Sequence, residues 1–157
     1  MEQARQRGEN ATPDLSVVLP VYNEAESIAD TLQELANRAG PTDYRWEALA
    51  INDGSTDDTL VILKSLVATM PELQILSLIP NAGQSAAFDT GFREAPGRVI
   101  VTMDADGQND PADIPRLLSE LGSHDCCFGY RAEREDGFGK RIGSVIGNAV
   151  RNGILGE

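Results

Sequence analysis

The chain has 157 residues, of which 41% are hydrophobic and 24% charged, a composition typical of a globular domain with a core of its own. Its 25 acidic and 13 basic residues give a net charge of −12, which disfavours attraction to nucleic-acid phosphates, so we expect no nucleic-acid partner. The only cysteines are the neighbours Cys126 and Cys127. This pair excludes a disulfide framework and a zinc site, and we expect both to be small buried side chains.

The two ends of the sequence differ in character. Residues 1–13 are polar and lack the apolar segment of a signal peptide, so we expect a flexible N-terminal arm and no secretion. Residues 14–157 are expected to form one domain. No stretch approaches the length of about 18 apolar residues that a membrane-spanning helix needs.

Strands and helices are predicted to alternate along the chain. Short apolar runs predict strands at 15–20, 46–51, 73–79, 98–103 and 125–130. Helical spacing of apolar residues predicts four helices between them, the first capped by Asn23 and ended by Gly40, the second opened by Ser55 and its neighbours, the third at 84–94 and the fourth at 112–121. Such alternation indicates an α/β fold with a mainly parallel sheet, helices on both faces and ligands beyond the carboxyl ends of the strands.

The segment Asp104-Ala105-Asp106 follows the fourth predicted strand. Two carboxylates spaced by one residue at a strand end can share Mg²⁺ or Mn²⁺ with an amide oxygen and phosphates. A solvated acidic turn that caps the next helix explains the tripeptide equally well. Asp110 is expected to serve as that cap.

Three further loops follow predicted strands. Asp53 is in position to accept hydrogen bonds from a nucleobase or a ribose, and Tyr22 and Glu24 could stack on a base and bind ribose hydroxyls. Turns and helix caps are the alternative explanation for these loops, and we assign Asp57 and Asp58 to capping. The third loop, 81–85, offers backbone amides beside Gly83 but lacks the ending of a phosphate-binding P-loop.

Cationic side chains gather after the acidic motif. Arg131, Lys140 and Arg141 could neutralise a diphosphate leaving group, whereas Arg134 is better explained as solvated surface charge. The single histidine, His124, is expected to be structural.

Taken together, these motifs resemble glycosyltransferase family 2, in particular its polyprenyl-phosphate branch. The resemblance covers residues 15–150 and rests on five segments: Val17–Glu24, Asn52–Asp58, Asn81–Gln84, Gly91-Phe92 and Asp104–Pro111. It implies the Rossmann-like glycosyltransferase-A fold. Asn52 stands where the family often has an acidic residue, and Gly107 where it often has leucine.

The resemblance also implies roles for individual residues. The residues implied to hold the nucleotide are Pro20, Tyr22, Glu24, Asp53, Asn81, Gly83 and Arg141. Asp104, Asp106 and Gln108 would bind Mg²⁺ or Mn²⁺, and Asp104, Asp106 and Arg131 would act on the leaving diphosphate.

The activity that the resemblance implies is inverting transfer of a sugar from a UDP- or GDP-sugar to a polyprenyl phosphate, which is already ionised and needs no base. Alternatives are transfer to a saccharide or lipid hydroxyl, and a noncatalytic nucleotide-sugar-binding module. A pyrophosphorylase-like enzyme would require a glycine-rich basic loop where Tyr22 and Glu24 stand.

Members of the family continue with acceptor-binding segments, so we expect the domain to be truncated at its C-terminus. We expect it to bind a metal–nucleotide complex but to transfer little or no sugar to a polyprenyl phosphate. Residues 140–155 show near-helical spacing of apolar residues among Lys140, Arg141 and Arg151. An amphipathic helix there could self-associate or lie at the cytoplasmic face of a membrane.

Overall fold

A computed structural model describes residues 12–39, 43–122 and 124–129. All the helices and strands among them belong to one unit that ends at Cys127. The strands are β1 (Leu15–Val21), β2 (Trp46–Asn52), β3 (Leu73–Ser77) and β4 (Val99–Thr102). The helices are α1 (Ile28–Ala39), α2 (Thr59–Leu66), α3 (Gln84–Glu94) and α4 (Ile114–Leu121), the last preceded by a 3-10 turn at Pro111–Asp113.

The four strands form one parallel sheet in the order β3-β2-β1-β4. β1 lies between β2 and β4, with Val18 paired to Leu49 on one side and to Thr102 on the other. Parallel neighbours must be joined by crossover connections, and the helices supply them. The predicted α/β architecture with a parallel sheet is therefore confirmed.

Apolar side chains cover both faces of this sheet. On one face Val17 and Leu19 of β1 join a core cluster with Leu32 and Leu35 of α1 and with Leu63 of α2. On the other face Val18, Leu49 and Ile51 pack with Ala87 of α3. β1 is almost fully buried because helices lie on both its sides, which explains its continuous apolar sequence.

The loops after the strands meet at the carboxyl edge of the sheet. Backbone hydrogen bonds extend the pairing into these loops: the Asp53 N–H donates to Val21, and the Leu78 N–H donates to Asn52, at 2.8 and 2.9 Å. The Met103 N–H donates to Val18 at 3.1 Å. The polar motifs that the sequence places after separate strands therefore share one edge, as predicted.

The sequence predictions for Asn23, for residues 125–130 and for the burial of the two cysteines are wrong. Asn23 does not cap α1, because the helix begins five residues later at Ile28. The backbone of Asn23 has a φ of 56°, and its side chain accepts a hydrogen bond from the Thr56 N–H. Residues 125–129 form no strand, because no other strand of the described residues offers its backbone to them. Without a sheet to cover it, Cys126 is exposed and Cys127 partly exposed, not buried.

None of the helices in the described ranges is long and apolar enough to cross a membrane. The residues from 130 onward, including the predicted helix 140–155, lie outside the described part of the chain.

Helix α3 lies close to the sheet at Gly91. A Cβ built there would lie 2.3 Å from Cγ1 of Val18, a side chain with no exposed surface. In an ordinary helix interior, replacement of glycine by alanine stabilises by about 1 kcal/mol. At this position the added methyl group must push against a packed core.

We therefore expect Gly91→Ala to lower the free energy of unfolding by about 1–3 kcal/mol through overpacking, measured by urea denaturation. In the double variant with Val18→Ala, the new methyl group should fill part of the space left by the valine. The double variant should therefore lose less free energy of unfolding than the two single variants lose together. A stabilised Gly91→Ala variant would contradict this packing.

Candidate functional site

A cleft of about 420 Å³ opens at the carboxyl edge of the sheet. It is lined by the last residues of β1, by residues of the loops after all four strands and by the first residue of α3: Pro20, Val21, Tyr22, Glu24, Asp53, Asn81, Gly83, Gln84, Asp104, Ala105 and Asp106. Eight of the residues predicted for the site are among them. Arg131 and Arg141 lie outside the described residues, and Gln108 does not line the cleft.

The cleft is strongly acidic. Glu24, Asp53, Asp104 and Asp106 contribute four carboxylates to its lining. Among the lining residues that the structure describes, none is lysine, arginine or histidine. A diphosphate placed in this cleft would be repelled by the carboxylates unless a cation came with it.

The loop that carries Asp104 and Asp106 is held by its own side chains. Asn109 accepts a hydrogen bond from the Asp104 N–H at 2.9 Å, and Asp106 accepts one from the Gln108 N–H at 3.0 Å. Gly107 makes this turn possible, since its φ of +75° is costly for other residues. The turn leaves both carboxylates at the cleft.

These two carboxylates suit a hard divalent cation. Mg²⁺ in proteins is commonly held by one or two carboxylates together with substrate phosphates and water, rather than by a full set of protein ligands. Within the described ranges no group of three or more histidine, cysteine, aspartate or glutamate side chains is placed to hold a metal by itself. The donor set therefore fits a cation that arrives with a phosphate-bearing ligand better than a permanently bound one.

Gln84, at the start of α3, is a site residue to which sequence reasoning gave no role. Its Nε2 donates to Oδ1 of Asp104 at 3.1 Å, and its side chain lines the cleft. Gln108, the predicted amide ligand, contributes its backbone N–H to Asp106. The position of Gln84 directly after Gly83, at the start of a predicted helix, could have indicated a site residue. Only the order of strands in the sheet, however, brings that helix beside Asp104.

Asp53 is buried and organises the loop after β3. Its Oδ1 accepts from the Ala82 N–H at 2.7 Å and its Oδ2 from the Gly83 N–H at 2.8 Å, while Asn81 Nδ2 donates to the Asp53 carbonyl at 2.8 Å. Gly54 allows this close approach, because a Cβ there would lie 2.8 Å from the Asn81 nitrogen. Asp53 thus fixes the neighbouring wall of the cleft.

Ser27 joins Glu24 to the loop that carries Asp104 and Asp106. Ser27 Oγ lies 2.5 Å from Glu24 Oε2 and 3.1 Å from the Ala105 carbonyl oxygen. Thr31 Oγ1 donates to the same carbonyl at 3.3 Å. The loop after β1 and the loop after β4 therefore hold each other in place beside the cleft.

Tyr22 lies at the rim of the cleft, where 47% of its surface is exposed. An exposed aromatic ring beside a polar cleft offers a stacking surface to a planar ligand. Pro20 lies below it at the end of β1. Both occupy the positions expected from the sequence.

The two backbone contacts of Asp53 generate a prediction. Asp53→Asn would turn one of the two acceptor oxygens into an N–H donor that faces a backbone N–H. We expect amide hydrogen exchange at Ala82 and Gly83 to accelerate and the free energy of unfolding to fall by about 1–3 kcal/mol. Asp58→Asn, which removes the same charge from an exposed position without a capping side-chain bond, is the control. Unchanged exchange at both amides would contradict the assignment.

Comparison with known proteins identifies relatives of this chain. The chain is 40% identical over 147 residues to the dodecaprenyl-phosphate galacturonate synthase of Rhizobium johnstonii, a match that covers 91% of this chain and 44% of that protein. It is 38% identical over 138 residues to an undecaprenyl-phosphate 4-deoxy-4-formamido-L-arabinose transferase of Pseudomonas syringae, covering 85% of this chain and 40% of that protein. The chain thus spans less than half the length of these relatives.

Solved structures share the fold. The mannosyltransferase PcManGT from Pyrobaculum calidifontis, in complex with GDP-Man and Mn²⁺, superposes with a TM-score of 0.62 at 27% identity over 71% of this chain and 33% of its own. TarS 1-349 of S. aureus, in complex with UDP-GlcNAc, gives 0.62 at 21% identity over 79% of this chain and 37% of its own. The second likeness concerns the fold alone.

The family profile spans nearly all of the described fold. It is the profile of glycosyl transferase family 2, and it matches residues 16–152, which include every element of the sheet except the first residue of β1. The parallel sheet, the acidic cleft at its carboxyl edge and this match lead to one conclusion: the chain belongs to glycosyl transferase family 2.

Proposed function

We propose that this chain binds the donor of an enzyme that transfers a sugar, with inversion, from a UDP- or GDP-sugar to a polyprenyl phosphate. The observation that carries the proposal is the pairing of Asp104 and Asp106 with Tyr22 and Asp53 around one acidic cleft. The two relatives named above are polyprenyl-phosphate sugar transferases by name, which supports the choice of acceptor.

Asp104 and Asp106 are the residues we assign to the metal. A bound Mg²⁺ or Mn²⁺ would neutralise charge on the diphosphate as the bond to the sugar breaks. The presence of Mn²⁺ with GDP-Man in the related mannosyltransferase structure supports this assignment. Gln84 holds Asp104 from the side, so that its carboxylate need not reorganise when the cation binds.

The opposite wall is proposed to bind the nucleoside. Tyr22 would stack on the base, and Glu24 would accept hydrogen bonds from ribose hydroxyls. Asp53 already accepts two backbone N–H bonds, but a carboxylate has about four acceptor positions. It can therefore position Asn81 and Gly83 and also accept from a base or a ribose.

The acceptor chemistry follows from charge. A phosphate monoester is ionised at neutral pH, so one of its oxygens can attack the anomeric carbon without a general base. The new carbon–oxygen bond forms as the bond to the nucleoside diphosphate breaks, and the nucleoside diphosphate leaves with the bonding electrons. One displacement of this kind inverts the anomeric centre.

Several parts of the proposal concern residues outside the described ranges. Arg131 and Arg141 are proposed to contact the diphosphate, where their charge would complement the acidic cleft. Gln108 is described by the structure but does not line the cleft, so it stays a candidate metal ligand by resemblance alone. We also propose that residues 1–13 form an N-terminal arm and that residues 14–157 form a single domain. The protein is proposed to act at the cytoplasmic face of a membrane.

The metal assignment predicts that nucleotide binding depends on a divalent cation. Calorimetry with UDP and GDP should give binding with Mn²⁺ or Mg²⁺ and none with chelator. Asp104→Asn and Asp106→Asn should each weaken binding by at least about tenfold, since even loss of an outer-shell partner costs that much at metal sites. Asp113→Asn, an exposed aspartate after the same loop without a capping side-chain bond, should bind like the wild type. Equal affinity with chelator would exclude the metal.

The acceptor assignment is tested by transfer. With Mn²⁺ and radiolabelled UDP- or GDP-sugars, this chain should transfer little sugar, because it spans less than half the length of its relatives. Any label that is transferred should enter undecaprenyl phosphate and not undecaprenol, because only the phosphate carries an ionised nucleophile. Asp104→Asn should abolish the transfer. Label in undecaprenol or in a saccharide would favour the hydroxyl-acceptor alternative, and full transfer by this chain would show that its acceptor site is already present.

A further inference from the structure

The loop after β1, residues 22–27, holds two side chains of the cleft but no regular helix or strand. It is fastened to residues 55–59, the segment that leads into α2. The Asn23 N–H donates to Ser55 Oγ at 3.1 Å, and Asn23 Oδ1 accepts from the Thr56 N–H at 2.8 Å. Each of these bonds joins residues more than thirty positions apart in sequence.

A second pair of contacts ends on Asp57. The Glu24 N–H donates to Thr59 Oγ1 at 2.8 Å, and that hydroxyl lies 2.5 Å from Asp57 Oδ1. The other oxygen of Asp57 accepts from the Ala25 N–H at 3.2 Å. The carboxylate of Asp57 therefore reaches the loop both directly and through Thr59.

The bond to Asp57 sets the orientation of the Thr59 hydroxyl group. A threonine hydroxyl has one hydrogen to donate and two lone pairs that accept. Because the hydrogen is directed to Asp57, a lone pair of the hydroxyl is left for the Glu24 N–H. The bond from Thr59 also lowers the pKa of Asp57 below its usual value, because it stabilises the ionised carboxylate.

Capping of α2 does not account for this arrangement. Asp57 does accept from the Thr59 N–H at 3.0 Å, as a capping side chain would. Its contact with Ala25, however, lies 32 residues away and serves the loop after β1. Asp58, the residue before α2, makes no capping side-chain bond and is exposed, so its assignment to capping from the sequence is wrong.

We propose that Asp57, acting through Thr59, is a positioning residue for the nucleoside side of the cleft. It does not line the cleft, but it fixes the backbone of Glu24 and Ala25, and with it the neighbouring Tyr22. This inference rests on the proposed function, because it assumes that the cleft binds a nucleotide. The metal side, with Asp104 and Asp106 on another loop, should be independent of Asp57.

The test separates the two sides of the cleft by ligand. Calorimetry with Mn²⁺ compares UDP and GDP, which need both sides, with pyrophosphate, which needs the metal side alone. In Asp57→Asn and in Thr59→Val the dissociation constants for UDP or GDP should rise about tenfold, as loss of a hydrogen bond to a charged group implies. The affinity for pyrophosphate should stay within about twofold of the wild type, a difference of less than 0.5 kcal/mol.

Two conservative variants are the matched controls. Asp58→Asn removes the same charge one residue further along, and Thr59→Ser keeps the hydroxyl that Thr59→Val removes. Both should bind UDP and GDP like the wild type. Thermal melts monitor folding; if Asp57→Asn fails to fold, the comparison of Thr59→Val with Thr59→Ser decides the question.

Each outcome has one meaning. Equal weakening of UDP and pyrophosphate in Asp57→Asn would show that Asp57 is only a structural cap, and unchanged UDP and GDP affinity would show that it has no role in the site. Either result overturns the inference and leaves the proposed function standing. If the wild-type chain itself binds neither nucleotide with Mn²⁺, the proposed function fails first.

Discussion

The position of β1 between two parallel neighbours is the constraint on which the rest of the structure depends. β1 pairs with β2 and β4, and β2 in turn pairs with β3, so all four strands end at the same edge. A parallel sheet must be covered on both faces, and the helices that cover it return the chain to the opposite edge, so that the next strand again ends at this one. The cleft exists because four chain segments turn there together. Gly91 shows how close this packing is, since a Cβ at this position would lie 2.3 Å from Cγ1 of Val18.

At that edge the protein concentrates negative charge. A cleft lined by four carboxylates, with no cation among its described lining residues, is poorly suited to a free diphosphate. It is well suited to a diphosphate that brings a divalent cation, because oxygen ligands of this kind are what Mg²⁺ and Mn²⁺ prefer. The carboxylates that make the cleft acidic are thus the groups that suit a cation-dependent ligand at the edge of the sheet.

The loops around the cleft are joined to one another by side chains, not by regular structure. Asp53 binds the loop after β3, Asp57 and Thr59 bind the loop after β1, and Ser27 and Thr31 reach the loop after β4. Buried and charged hydrogen bonds of this kind are individually modest but costly to leave half-made. The cleft is therefore shaped before a ligand arrives, and its walls depend on residues that need not touch that ligand.

The sequence by itself determined the alternation of strands and helices and the place of each polar motif after a strand, because β-branched runs, helical spacing and turn residues are local signals. The family followed from the same motifs, since their order and spacing can be recognised in the sequence without knowing which residues are in contact.

Only the tertiary structure decided the hydrogen-bond partners of the site residues. Asn23 pairs with Thr56 instead of a helix end, Asp53 with the amides of residues 82 and 83, and Gln84 with Asp104. These bonds join segments 20 to 33 residues apart, and which segments meet depends on the order of strands in the sheet, which no local pattern encodes. For the same reason the strand predicted at 125–130 failed over 125–129: its apolar pattern is local, but a strand also needs a neighbour.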